Sequence, residues 1–290
     1  MDNVLHFTIP SRDARARVVR LGPVLDLVQS AHDYPPPIRR LLAEALVLVA
    51  LMGSLLKDKD SQLTIQAQTE GGIIDLLVVD YRDGDVRGYI RHDAERLSML
   101  GAKPSLRALF GPRAYLAITF DLAVTGQRYQ GIVPLEGENL ARACQDYFIQ
   151  SEQLPTMIRV GLREEDGHCI AGGLLIQHLP DGEEGRERLH TQMDHPHWEH
   201  VAVMAGSVRD EELTDPALPL DDLVWRLFHE EDEVRVAEDA PLRRGCRCSV
   251  EHYRKILAKF APTDLADMRD ETGHIPVDCA FCSKVFPIDL

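Results

Sequence analysis

Two tight cysteine pairs constrain this chain more than any other feature. Cys246 and Cys248 stand in RRGCRCS, Cys279 and Cys282 in VDCAFCS, and together they are four of the six cysteines present. Residues 241–290 hold few other large apolar groups, chiefly Tyr253, Ile256, Leu257, Phe260, Leu265, Phe281 and Phe286. A unit so small seldom buries enough surface to fold unaided. Four thiolates spaced C-x-C and C-x-x-C complete the tetrahedron that Zn(II) takes in closed structural sites. The metal would supply the missing free energy, on the order of 10 kcal/mol or more in small zinc peptides. The sequence therefore predicts one Zn(II) per chain in the reduced protein, held by Cys246, Cys248, Cys279 and Cys282.

That reading depends on a reducing compartment, where paired cysteines more often bind metal or do redox chemistry than staple a fold. The opening residues MDNVLHFTIPSRDARARVVRLG mix charges and Pro10 into the apolar positions, unlike a secretory signal, so a cytoplasmic location is expected. The longest apolar run, Ala45 to Leu56, is shorter than the ~20 residues that cross a bilayer and follows the helical lead-in IRRLLAE. It reads as part of a buried helix from Ile38 to Lys57. A net charge of -15 argues against general affinity for nucleic acid or anionic membrane.

The charge divides the chain. Residues 181–240 contain 18 Asp and Glu against 5 Lys and Arg. Before them the signals alternate between strand and helix. SQLTIQAQTEGG sets Leu63, Ile65 and Ala67 on one face at period two; IIDLLVVDYRDGDVRGYI turns at Asp83-Gly84; RAYLAITFDLAVTGQRYQGIV turns at Thr125-Gly126. A last hairpin is expected from Met157 to His178 around Asp166-Gly167, and a second helix from Asn139 to Gln153, ahead of Pro155. The fold class expected is α+β: a core domain of helices and antiparallel sheet over residues 1–180, an acidic helical linker over 181–240, and a small zinc-binding domain over 241–290.

The acidic segment is not plain linker. DDLVWRLFHEED puts Leu223, Val224, Leu227 and Phe228 on one helical face, and HWEHVAVMAG offers Val201, Met204 and Ala205. Clustered carboxylates and Pro196, Pro216 and Pro219 oppose compaction, so the segment should be marginally folded. Both tryptophans, Trp198 and Trp225, lie in it and are expected to report its state.

A zinc-thiolate centre is also a site that oxidation can destroy. Its sulfurs are held in the nucleophilic form, and Arg243, Arg244, Arg247 and Lys284 are near enough in sequence to soften the charge. Disulfides remove the ligands, and with them the folding energy of the domain. Bonds within pairs, Cys246 to Cys248 and Cys279 to Cys282, are favoured because those residues are already neighbours.

Other candidates are weaker. Cys144 in ARACQDYF and Cys169 in GHCIAGG read as small buried hydrophobes. His190, His195, His197 and His200 read as solvated or packing residues. Gly71-Gly72 and Gly172-Gly173 lack a phosphate-loop context and read as turn or bulge glycines. No nucleophile and base are paired and ATP motifs are missing, so an enzyme is not expected. The competing function is a constitutive zinc-ribbon protein bound to nucleic acid or the ribosome, for which the 8 Lys and Arg against 7 Asp and Glu of residues 241–290 give little positive charge.

CRCS and CAFC, preceded in order by EGGIIDLLVVDY, PLEGENL, YFIQSEQLPT and AGGLLIQHLP, resemble the 33-kDa heat-shock proteins, redox-regulated holdase chaperones. The likeness spans the chain. It implies a protein that is inactive when reduced with zinc on Cys246, Cys248, Cys279 and Cys282. Oxidation would form the two in-pair disulfides, release zinc, unfold the C-terminal domain and then the linker, and allow capture of unfolding client proteins without ATP, as a homodimer. Two departures from the family pattern, Arg244 two residues before the first cysteine and Ser249-Val250-Glu251-His252 after the second, touch no ligand. They bear on how the zinc domain rests on the linker.

Overall fold

The structure is a computed structural model that describes residues 2–165, 167–179, 195–238 and 241–289. Strands β1 (Asn3–Ile9) and β2 (Ala14–Leu21) form a hairpin across a 3-10 turn at Pro10–Arg12, and helices α1 (Pro23–Gln29) and α2 (Pro36–Gly53) follow. Next come β3 (Gln62–Thr69), β4 (Ile74–Arg82), β5 (Asp85–His92), α3 (Ala94–Ser98) and α4 (Leu106–Phe110). They lead to β6 (Ala114–Asp121), β7 (Arg128–Pro134), α5 (Leu140–Ser151), β8 (Thr156–Glu165) and β9 (His168–His178). The expected hairpins form as read. Asp83 and Gly84 both take positive φ, the geometry of a two-residue hairpin turn, and Gly126 and Gly167 do the same at the other two. Asp166 lies outside the described residues.

A further hairpin, β1–β2, carries the same signal: Ala14, Ala16 and Val18 alternate with Arg15 and Arg17. Those three apolar residues are buried.

Helix α2 is the centre of the core. From Leu41 to Gly53 all but Glu44 are buried, because the helix lies between two sheets, touching β2, β8 and β9 on one side and β3, β4 and β5 on the other. A helix covered on both faces has to be apolar nearly all round. Among the described residues no helix is long and apolar enough to cross a membrane.

The acidic region supplies α6 (Pro196–Gly206), α7 (Asp210–Thr214), α8 (Leu220–Phe228) and β10 (Arg235–Glu238); β11 (Arg243–Arg244), α9 (Val250–Leu257), α10 (Pro262–Asp267), β12 (Ile275–Asp278) and β13 (Val285–Ile288) complete the chain. Besides helices, then, the segment contributes a strand. β10 pairs antiparallel with β1 at the edge of a five-stranded sheet ordered β10-β1-β2-β9-β8, and β11 pairs parallel with β5 at the edge of a six-stranded sheet ordered β11-β5-β4-β3-β6-β7.

Three apolar clusters result among the described residues. The largest surrounds α2. The second lies on the opposite face of the five-stranded sheet, where Phe7, Val18, Leu174 and Ile176 meet Trp198, Val201, Leu213, Leu223, Val224 and Phe228 of the acidic segment. The third is small: Leu257, Ile275 and Ile288, with Tyr253 and Phe286 against them.

Candidate metal centre

The four paired cysteines converge. Cys246 and Cys248 follow β11 and precede α9, whose N-cap Ser249 accepts the His252 amide at 3.1 Å, fixing where the first pair leaves the strand. Cys279 and Cys282 sit in the tight turn between β12 and β13. There the amides of Cys282 and Ser283 bond the Cys279 carbonyl at 3.2 and 2.8 Å, and Ser283 takes φ 55. All four sulfurs lie within 4.8 Å of one another, with Cys246–Cys248 at 3.3 Å and Cys246–Cys279 and Cys248–Cys282 at 3.5 Å. A tetrahedron with metal–sulfur bonds of ~2.3 Å has edges of roughly 3.8 Å. The donor set and its dimensions fit a closed tetrathiolate site.

The electrostatics point the same way. Burial works against a charge on Cys279, but the Tyr253 hydroxyl and the backbone amides of Phe281 and Cys282 outweigh it, bringing the thiol down to about 6. Burial and neighbouring sulfurs push Cys248 up, and burial raises Cys282 although the Lys284 amide favours its thiolate. Four thiolates this close cannot all ionise without a cation among them. Two of the arginines expected to soften the sulfurs, Arg243 and Arg247, are engaged by carboxylates of the core. Arg243 pairs with Asp85 and Arg247 with Asp80 at 3.2 Å, both on the six-stranded sheet, while backbone amides face the sulfurs instead.

Those ion pairs dock the metal centre on the core. Asp80 is buried and also holds Arg87 at 2.6 Å and the Thr64 hydroxyl at 2.7 Å. The Arg87 guanidinium lies 3.9 Å from the centroid of Phe281, whose ring meets Tyr89 edge-on at 5.0 Å. Leu242 is buried in the core around α2, and the Gly245 amide bonds the Val86 carbonyl at 3.0 Å.

A second surface seats the acidic segment. Arg20, Gly172 and Gly161 lie side by side across β2, β9 and β8. Arg20, 4% exposed, donates to the carbonyls of Glu212, Leu213 and Leu218 at 3.0, 2.8 and 2.6 Å. A Cβ on Gly172 would come 2.8 Å from the Leu213 carbonyl carbon, and one on Gly161 2.9 Å from Asp210 Cα. Gly172 is therefore not a turn or bulge residue. It lies within β9 and lets α7 rest directly on the sheet, while Gly173 faces Val47 and Leu51 of α2. Gly71, with φ 77, does mark a bend as expected.

The remaining candidates are placed as follows. Cys144 is buried in α5, and burial pushes its thiol far above the ordinary range; Cys169 is buried in β9 and pushed up to about 11. His195 and His197 pack at the start of α6, and His200 pairs with Glu231 at 2.6 Å. His190 lies outside the described residues. The tryptophans differ: Trp198 is 8% exposed and Trp225 is 65% exposed, so the first alone is shielded by docking.

Comparison with known proteins places the chain in a family. The chain matches the family described as Hsp33 protein over residues 2–289. The 33 kDa chaperonin of Caulobacter vibrioides (strain NA1000 / CB15N) is 37% identical over 296 residues, an alignment covering 99% of this chain and 95% of that one. The 33 kDa chaperonin of Shigella boydii serotype 4 is 32% identical over 98% of this chain and 90% of its own. The crystal structure of a 33 kDa chaperonin from Thermotoga maritima superposes with a TM-score of 0.76 at 23% identity, covering 99% and 95% of the two chains, a likeness of fold.

Proposed function

The chain belongs to the Hsp33 family of chaperones, and from that premise we propose that it is a redox-regulated holdase that needs no ATP, inactive while reduced and active once its paired cysteines are oxidised. The observation that carries the reading is the four-cysteine cluster docked on the six-stranded sheet, next in the chain to the acidic segment that covers the apolar face of the five-stranded sheet. When bound, one Zn(II) would supply the dication that lets Cys246, Cys248, Cys279 and Cys282 all remain thiolates, together with the folding free energy that three buried apolar residues cannot give.

Oxidation proceeds within each pair. Two thiolates lose two electrons and join as one disulfide, Cys246 to Cys248 or Cys279 to Cys282, while one peroxide takes up those electrons and two protons to become two waters. With the sulfurs withdrawn, residues 241–289 lose their organising centre. Arg247 and Phe281 leave Asp80 and Arg87, and the end of the acidic segment keeps the short pairing of β10 with β1, followed by β11 and the buried Leu242. A segment so acidic, held by one apolar face, then detaches, because local stability is a small difference of large terms. Phe7, Val18, Leu174 and Ile176 are left facing solvent as a surface for unfolding clients. The active form is a homodimer and the protein acts in the cytoplasm.

Aggregation of an unfolding client, followed by light scattering with reduced and oxidised protein side by side, tests the reading. Suppression by the oxidised form alone is expected; equal suppression by both forms would remove the redox switch.

A further inference from the structure

We propose that His178, at the point where the acidic segment joins the five-stranded sheet, is an acid-sensing switch: a proton taken up there releases α6 from the sheet while all the cysteines stay reduced. This opening needs no oxidant and is separate from the metal centre.

His178 closes β9 and is 3% exposed, and its Nδ1 is buried without a hydrogen-bond partner. Its ring stacks on His195 at 5.0 Å and 30° and on Trp198 at 6.4 Å. His195 in turn meets His197 edge-on at 4.8 Å and caps α6 through its Nδ1, which accepts the His197 amide at 3.3 Å. The first turn of α6 is thus held to the sheet through a stack of imidazoles and one indole. Such stacking is favourable among neutral rings, whereas a proton added to His178 would place a charge in the interior with no acceptor for its Nδ1–H.

The groups facing His178 cannot absorb that charge. From the β1–β2 turn come Arg12 and Asp13, and from α6 come His195 and His197. Asp13 is the facing carboxylate, and it lies 4.0 Å from His197 Nδ1, itself without a hydrogen bond. Glu231 is already engaged by Arg12 at 2.8 Å and by His200 at 2.6 Å. Burial first, then the His195 imidazole, hold the pKa of His178 below the ordinary value, against the Arg12 carbonyl and Asp13.

A depressed imidazole pKa means that the docked state prefers neutral His178 and the open state binds the proton near ~6.5. Docking free energy is therefore complete above that pH and falls as pH drops below it. Between pH 7.5 and 5.5, one imidazole titrating near ~6.5 in the open state can raise the open population by at most about tenfold.

The test is amide hydrogen exchange of residues 196–206 in the reduced, metal-loaded full-length protein at pH 7.5 and 5.5, corrected for intrinsic exchange, with metal content measured at both. A rise in opening of up to about tenfold with metal retained, lost in His178→Phe, is the expected result. No rise, an equal rise in His178→Phe, or opening that tracks metal loss overturns the proposal. Should His178→Phe fail to fold, His195→Ser, which keeps a capping hydroxyl, must show a smaller rise than the parent; an equal rise overturns it too. Client protection by reduced protein at pH 5.5 is a separate arm that rests on the holdase reading: opening without client protection counts against that reading and leaves the switch standing.

Discussion

Gly172→Ala should detach the acidic segment from the sheet without oxidation. The added Cβ would sit 2.8 Å from the Leu213 carbonyl carbon, nearer still to its oxygen, and 3.2 Å from Leu213 Cβ. Two of these are backbone atoms, so no rotamer change relieves the contact and α7 must lift. Overpacking of this kind costs about 1–3 kcal/mol. Lifting α7 also stretches the three bonds from Arg20, each with a net worth of about 1 kcal/mol, and only a few tenths return because alanine suits a strand better than glycine. A loss of about 3 kcal/mol in docking is a rise of ~10²-fold in the open population. Hydrogen exchange on reduced protein should show that rise in α6, α7 and α8 while α2 keeps its protection. Gly173→Ala is the control, because its Cβ would meet Val47 Cγ1 at 2.5 Å and Leu51 Cδ1 at 2.9 Å and should weaken the core instead. If Gly172→Ala leaves the acidic segment as protected as in the parent, or loosens α2 equally, the seat assigned to α7 is wrong.

Changing Cys246, Cys248, Cys279 and Cys282 to Ser should abolish bound zinc in elemental analysis, while changing His195, His197 and His200 should leave it at one per chain. Cys169, pushed up to about 11, carries about 10³-fold less thiolate than thiol at pH 8, and Cys144 carries less still. Peptide mapping after peroxide and mild heat should therefore find both disulfides in residues 241–289 and both lone cysteines reduced. Trp198→Phe should remove the red shift of emission on oxidation and Trp225→Phe should preserve it, since only Trp198 is shielded in the docked state. Arg247→Ala should free residues 241–289 from the core about fivefold more often, a cost of about 1 kcal/mol with Arg87 still covering Asp80, read as faster exchange in β12 and β13.

Much of this molecule was legible in one dimension because its determinants are local. A C-x-C and a C-x-x-C need only a loop to meet, so the four cysteines that converge could be named before any fold was known. Period-two alternation and glycine turns placed β3 to β9 in hairpins, and an apolar run too short for a membrane gave α2. Even the exposure of Trp225 follows from helical phase: it lies more than 100° from the centre of the stripe formed by Leu223, Val224, Leu227 and Phe228. The sequence also said that the acidic segment had apolar stripes to bury.

What the stripes cover was decided only by the tertiary structure. Burial is non-directional, so an amphipathic face states how much it must hide and not against what. The partner face is assembled from the β1–β2 hairpin and β9, which are far apart in sequence, and its fit depends on Gly172 and Gly161 falling level across two strands beside Arg20. Register of that kind is a property of the paired sheet. The stacking of His178 on His195 has the same origin: the two rings meet only when α6 closes over the end of β9. Chemistry at the cysteines is written in their spacing, whereas the control of the acidic segment is written in distances that exist only once the chain has folded.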